Sequence, residues 1–497
     1  MFENQSIIAI SFIVYVLLMF AIAWYAWKNT QNLSDYILGG RSIGRWVAAL
    51  SAGASDMSGW LLLGLPGYAY AAGYESFWLA LGLLIGTYCN WRFVALRLRI
   101  YSEQADDALT LPAFFVARFG RHKHLLQVIS ALFILLFFMF YTSSGLVAGG
   151  KLFETVFDFP YQWAVTLGML IIVGYTFLGG FLAVAWTDLV QGLLMLAALL
   201  IVPIVSLHSV GGWQTSVDMI TLKNPELLNM FSDSGGQPLT LLAIFSLLGW
   251  GLGYFGQPHI LARFQAIKSP GLVKSSRRIA VSWSLLTMTG AILVGLSGIA
   301  YIQPGLESGD TEKVFMLLVS ALFHPVIAGI LLAAILAAVM STADSQLLVS
   351  SSTLTEDFYK TLIRPNASDK ELVLIGRLAV VVVALIAYII ALEPDSKVLE
   401  LVAYAWAGFG AAFGPTLILS LYWRRMNSFG ALAGIITGGV TVVVWKQLSG
   451  GWFDLYEIVP GVLLATFAIV VMSRVTPEPE ATILKRHGEI EAQLNQY

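Results

Sequence analysis

Charge, cysteine and any excess of one sign are what this chain has least of. Only 12% of its 497 residues are Asp, Glu, Lys or Arg, against roughly 25% in soluble globular proteins. A water-soluble fold is excluded on that ground. The 28 basic and 30 acidic residues leave a formal net charge of −2, so there is no basic surplus to neutralise phosphates and no nucleic-acid partner is expected. The single cysteine, Cys89, cannot close an intrachain disulfide. Neither a disulfide scaffold nor a Cys-rich metal site is available, and in its apolar surroundings Cys89 reads as packing. Long polar connections are missing too. The longest, residues 208–237, is too short for a folded catalytic domain. The six histidines show no metal-ligand spacing, and no nucleophile, base and orienting acid stand together, so an enzyme is not expected.

What fills the chain is apolar: 58% of residues are hydrophobic and the mean hydropathy is +0.77. An apolar helix of about 20 residues crosses a bilayer core of about 30 Å. Candidate spans are Ile7–Trp27, Trp46–Tyr70, Ser76–Val94, Leu126–Gly149, Tyr161–Phe181, Leu189–Leu207, Leu239–Ile260, Ile279–Ile302, Pro325–Val349, Leu378–Leu392, Val398–Trp423, Gly430–Trp445 and Leu455–Met472. The first run is too long for the apolar region of a signal peptide and lacks a small-residue cleavage site, so it reads as a retained span. The expected class is an all-α polytopic membrane protein with about 13 transmembrane helices.

Cytoplasmic loops carry an excess of Lys and Arg. Sorted onto alternate loops of this thirteen-span chain, 23 of the 28 basic residues fall on one side and 5 on the other. That alternation places the N-terminus outside and the C-terminus in the cytoplasm.

Two spans break the rules for a membrane helix. Residues Ser51–Trp60 put small and polar side chains around Asp56 at mid-depth, where a charge costs at least about 2.5–3.5 kcal/mol and so needs a partner or a task. Residues Gly249–Pro258 hold four glycines and a proline. Each glycine costs up to about 1 kcal/mol of helix propensity relative to alanine, and Pro258 lacks a backbone donor, so unwinding within the membrane is expected. These are the second and seventh spans. An odd offset makes them cross in opposite directions, the pattern of inverted-repeat carriers whose cargo binds where two discontinuous helices meet. Gly251–Gly256 also fits G-x-G-x-x-G, but no strand precedes it, so a dinucleotide site is excluded.

A third polar segment, Ala337–Ser345, lies in the ninth span. Ala338, Ser341 and Thr342, at i, i+3 and i+4, share one helix face. Asp344 adds a carboxylate nearby. Hard cations take oxygen ligands, and carbonyls freed near Ala54 and Met57 would face the two hydroxyls, so sodium is the expected ion.

The segments ASDMSGW (Ala54–Trp60), GWGLGYFGQPHILARF (Gly249–Phe264), LAAVMST (Leu336–Thr342), YAWAGFGAAFGP (Tyr404–Pro415), DYILGGRS (Asp35–Ser42) and ALTLPAFF (Ala108–Phe115) closely resemble the solute:sodium symporter family over nearly the whole chain, and most closely its proline-carrying bacterial members. The resemblance implies a LeuT-like inverted five-helix repeat core, with one extra helix before it and two after. Mapped onto this chain, that means an N-terminal helix and loop over 1–45, a first repeat over 46–207, an inverted second repeat over 208–425, two extra helices over 426–473 and a cytoplasmic tail over 474–497. It also implies sodium-coupled uptake of L-proline with no other cofactor and no obligatory protein partner. The implied sodium ligands are Ala54, Met57, Ala338, Ser341 and Thr342. The implied proline contacts are Ser58, Gly59, Trp60, Tyr141, Trp250, Tyr254, Gln257 and Pro258. Asp56 is implied in sodium-dependent affinity, Asp188 in ion release and Arg41 at the inner mouth. Asp344 departs from the family's small hydroxyl residue. It would alter ion stoichiometry, admit protons or simply accept a hydrogen bond within the helix.

Proline is a zwitterion, and both of its hydration shells need substitutes inside the membrane. The amino-terminal end of a half-helix at Ser58 and Gly59 offers N–H groups and a positive dipole to the carboxylate. Either unwound carbonyls near Trp250–Gly253 or the Tyr141 and Tyr254 hydroxyls would take the ammonium, with Trp60, Trp250 and Tyr254 against the ring. The competing readings are a family member with another cargo (a sugar, pantothenate or a short carboxylate), a proline sensor built on a carrier fold, and a channel.

Overall fold

The computed structural model describes residues 5–28, 32–120, 122–178, 180–393 and 396–497; Arg121, one of the basic residues sorted above, lies outside them. Among the described residues the chain is helical, with only isolated bridges at Ile43–Ile267 and Ser232–Pro238. That follows from the solvent, because in lipid a backbone polar group must be satisfied within its own segment. The elements that matter here are α1 (Gln5–Trp27), α2 (Arg45–Asp56), α3 (Leu65–Ala72), α4 (Ser76–Cys89), α5 (Lys123–Phe157), α6 (Tyr161–Leu178), α7 (Phe181–Ser209), α8 (Leu241–Gly249), α9 (Pro258–Ala266), α10 (Val273–Tyr301), α11 (Pro325–Ser352), α12 (Asp369–Ala391), α13 (Val398–Tyr422), α14 (Ser428–Trp445), α15 (Ile458–Val475) and α16 (Ala481–Leu494).

Ten helices among the described residues are long and apolar enough to cross a membrane. Two shorter apolar helices, α6 and α8 with the turn that follows it, fall below that length. On α1, Ile10, Ile13, Val14 and Leu17 are each more than half exposed. They form one i, i+3, i+4, i+7 stripe, an apolar face that fits lipid rather than water.

Both predicted interruptions are present. The first helix stops at Asp56, Met57 leaves helical geometry (φ −84°, ψ 78°), and a π-type turn at Trp60–Gly64 leads into α3. The second stops at Gly249, runs through a 3-10 segment at Trp250–Gly256, and restarts at Pro258 after an extended Gln257. Pro258 occupies the first position of α9, where its missing N–H costs nothing. Gly253 is required by space, because a Cβ there would collide with the Trp406 indole of α13. The 3-10 segment therefore packs directly on α13 and α4.

Two expectations are corrected. Helix α7 begins at Phe181 rather than near Leu189, so Asp188 lies inside it and is fully buried. The Lys and Arg sorting treats Arg99, Arg118 and Arg263 as loop charges, but all three are buried on helices. Short half-helices and helix ends bring these residues into the protein interior, where the guanidinium groups bond to backbone carbonyls and polar side chains instead of water. The tail forms α16, which docks through Ile483, His487 and Ile490. Burial and the nearby Arg118 hold the His487 imidazole down at about 4, so it docks neutral.

Candidate functional site

The two breaks and α11 meet in the interior. The Ala54 carbonyl, in the last turn of α2, accepts hydrogen bonds from the hydroxyls of Ser341 (2.8 Å) and Thr342 (3.3 Å). Ser341 Oγ also lies 3.2 Å from the Ala338 carbonyl. Four of the five expected sodium ligands thus form one cluster of carbonyl and hydroxyl oxygens, and all of them are buried. The fifth, Met57, sits at the residue where the helix ends, with its sulfur 3.8 Å from the Thr287 hydroxyl. The donor set is made of hard oxygens, the chemistry a sodium ion takes.

Two residues further on, Asp56 is the focus of a second cluster. Its carbonyl accepts from the Ser58 N–H (3.0 Å), the Trp60 indole (3.2 Å) and the Tyr141 hydroxyl (2.9 Å). Its carboxylate Oδ2 accepts from the Tyr254 hydroxyl at 2.6 Å. Asp56, Ser58, Trp60, Tyr141 and Tyr254 are each 3% exposed or less, so these side chains close over the break. Gly59 packs against Ala148 and Val339.

Other expected cargo contacts are arranged differently. The carbonyls freed by the second break already have donors. Trp250 O accepts from Trp406 Nε1 (2.7 Å), and Gly253 O accepts from Gln257 Nε2 (3.0 Å), which also reaches Trp406 O (3.3 Å). These two carbonyls are therefore committed within the protein. The Ser58 N–H is likewise committed to Asp56. The Trp250 ring stacks on Tyr456 at 5.3 Å, whereas Tyr254 meets Trp406 edge-on at 5.0 Å. Sequence reasoning passed over Trp406 because a tryptophan in an apolar span is commonplace.

Behind the oxygen cluster at Ala54 lies a buried ionic network. Arg263 Nη2 is 3.1 Å from Asp188 Oδ2 and 2.5 Å from Ser345 Oγ, while Arg263 Nε donates to Ser51 Oγ at 3.0 Å. Ser51 Oγ donates in turn to Asp188 Oδ2 at 2.6 Å. Both charged partners are fully buried. Asp344 stands beside this network and accepts from Ser345 at 3.3 Å. Sequence reasoning missed Arg263, Ser51 and Ser345. An arginine five positions past a helix-breaking proline is the one signal that pointed there.

Arg41 takes no part in either cluster. From the turn before α2 its guanidinium reaches Gln265 O (2.8 Å), Ser102 Oγ (3.0 Å), Ala108 O (3.1 Å) and Asp107 (2.8 Å). Together with the Ile43–Ile267 bridge it ties the start of α2 to the end of α9. The opposite end is tied as well. Glu312 pairs with Lys151 of α5 (2.8 Å), accepts from the N–H groups of Val398 and Leu399 at the start of α13, and lies close against Gly67 of α3.

Residues 36–438 match the sodium:solute symporter family. Among curated proteins, the chain is 51% identical to the sodium/proline symporter of Escherichia coli K12, covering 97% of this chain and 96% of that one. It is 49% identical to the osmoregulated proline transporter OpuE of Bacillus subtilis, covering 98% of each. Among solved structures, a Na+-coupled sialic acid symporter in a substrate-bound, outward-open state superposes with a TM-score of 0.78 at 18% identity, over 95% of this chain and 99% of that one. Mhp1, a nucleobase-cation symporter, gives 0.53 at 16% identity, over 93% and 100%. The fold is the LeuT-like one.

Proposed function

Because the chain belongs to the sodium:solute symporter family, we propose that it imports L-proline with sodium by alternating access, across a bacterial cytoplasmic membrane with its N-terminus outside and its C-terminus inside. It is a carrier and not an enzyme. One observation supports the reading above others. The Ala54 carbonyl, held by Ser341 and Thr342, and the Asp56 carbonyl, held by Trp60 and Tyr141, lie two residues apart where a single helix ends.

Sodium would displace the hydrogen bonds that Ser341 and Thr342 now donate, drawing their oxygens, the Ala54 and Ala338 carbonyls and the Met57 carbonyl around the ion. That fixes the backbone from Ala54 to Met57, so proline arrives at a segment whose ordering cost has already been met. The coupling is reciprocal, and proline strengthens sodium binding by the same factor. Ser58, Gly59, Trp60, Tyr141 and Tyr254 then surround the zwitterion, with Trp250, Gln257 and Pro258 shaping the second break. Opening requires one tied end to part. Arg41 and the Ile43–Ile267 bridge would release toward the cytoplasm, with Asp188 receiving the ion on its way in, and the Glu312–Lys151 contact would release outward. The helices over 46–207 and 208–425 form the two inverted repeats in this reading, flanked by 1–45, 426–473 and the tail over 474–497.

Proteoliposomes holding the purified chain are expected to accumulate labelled proline under an inward sodium gradient and not under a proton gradient alone. Accumulation that follows protons and ignores sodium would overturn the proposal.

A further inference from the structure

Beside the first break, Asp56, Thr87, Asn90 and Tyr254 help to line a cavity of about 10 Å³, room for a single water-sized occupant. Every residue around it is buried. Three oxygens on this wall have no hydrogen-bond partner in the protein: Asp56 Oδ1, Thr87 Oγ1 and Asn90 Oδ1. Buried polar atoms are nearly always paired, so three orphans around one small cavity call for an occupant. The Asn90 orientation is fixed, because its Nδ2 donates to the Tyr254 carbonyl at 2.9 Å, which leaves the amide oxygen as the free atom. Thr87 lies beside the Tyr254 hydroxyl, whose proton goes to Asp56 Oδ2; Thr87 can only donate to that oxygen, which leaves its own lone pairs to the cavity.

A carboxylate, an amide carbonyl and a hydroxyl form an acceptor set, and a hard one. The wall offers a negative charge and no cation. We propose that Asp56, Thr87 and Asn90 form a cation pocket separate from the Ala54–Ser341–Thr342 cluster, and that Thr87, in the last turn of α4, and Asn90, just after it, are binding residues. The pocket holds positive charge from one of two sources, a bare sodium ion or the secondary ammonium of the cargo. This inference rests on the symport reading above, since that reading is what brings both cations to the site.

The experiment uses the full-length chain purified in detergent. It measures equilibrium binding of ²²Na⁺ without proline, and of labelled proline at saturating sodium, in Thr87→Val and Thr87→Ser. Thr87→Val removes the oxygen at nearly constant shape and is expected to weaken binding of one cation by about tenfold or more, the size of a lost contact to a charged group; Thr87→Ser restores it. Weakened ²²Na⁺ binding identifies sodium. Intact ²²Na⁺ binding with weakened proline binding, and unchanged competition by tetrahydrofuran-2-carboxylate, which has no amine, identifies the ammonium. Unchanged binding of both overturns the proposal and leaves the cavity to water. Thr87→Ala carries the same expectations should Thr87→Val not fold. No flux is measured, so a failure here leaves gradient-driven uptake standing, and loss of sodium-driven uptake is read separately.

Discussion

Replacing Arg263 by methionine is expected to destabilise the folded chain by about 3–5 kcal/mol, the cost of leaving one charge of a buried pair unpartnered. Asp188 is fully buried and, among the described residues, its Oδ2 is held by Arg263 and Ser51 alone, so removing the guanidinium strands a buried carboxylate. The double variant Arg263→Met with Asp188→Leu should regain most of that loss, because removing both partners removes the desolvated charge along with the attraction. Thermal unfolding of the detergent-purified variants reads both outcomes. A single variant as stable as the parent would show that the network carries no stability. Proline uptake is expected to stay low in the double variant even where stability returns, if Asp188 receives the ion.

The largest functional effect is expected from Ser341→Ala combined with Thr342→Val. The pair removes both hydroxyls from a cluster of four oxygens, leaving the Ala54 and Ala338 carbonyls. Contacts to a charged group are worth about 1.5–3 kcal/mol each, and about 1.4 kcal/mol is tenfold in affinity. The sodium concentration giving half-maximal proline uptake should therefore rise by at least about 100-fold. Uptake at saturating sodium should be better preserved. An unchanged half-saturating concentration would place sodium elsewhere.

The two helix breaks were legible in the sequence because their signals are strong and local: four glycines and a proline in one span, a carboxylate among small residues in the other. Ser341 and Thr342 were legible from helical spacing, which sets a shared face before any tertiary contact is known. Arg263 was not. It lies on α9, the short half-helix after the second break, and hydropathy reads that polar stretch as a loop. Only packing of α9 against α2 and α11 brings Arg263 onto Asp188, Ser51 and Ser345, residues far apart in sequence. Trp406, Thr87 and Asn90 were hidden for a related reason. A lone tryptophan, threonine or asparagine in an apolar span has many uses, and only the tertiary placement of the 3-10 segment at Trp250–Gly256 against α13 and α4 selects one. Trp250 shows the converse. The sequence puts it beside the break, yet its ring stacks on Tyr456.

In the proposed cycle sodium and proline are coupled through the end of α2, from Ala54 to Met57. The direct test is the affinity of the purified chain for proline, measured at equilibrium with sodium present and with sodium replaced by a larger monovalent cation. Sodium is expected to tighten proline binding by roughly 5–150-fold, the usual range of coupling between two sites, and Ser341→Ala with Thr342→Val is expected to abolish that difference. Proline affinity that is the same with and without sodium would contradict the account.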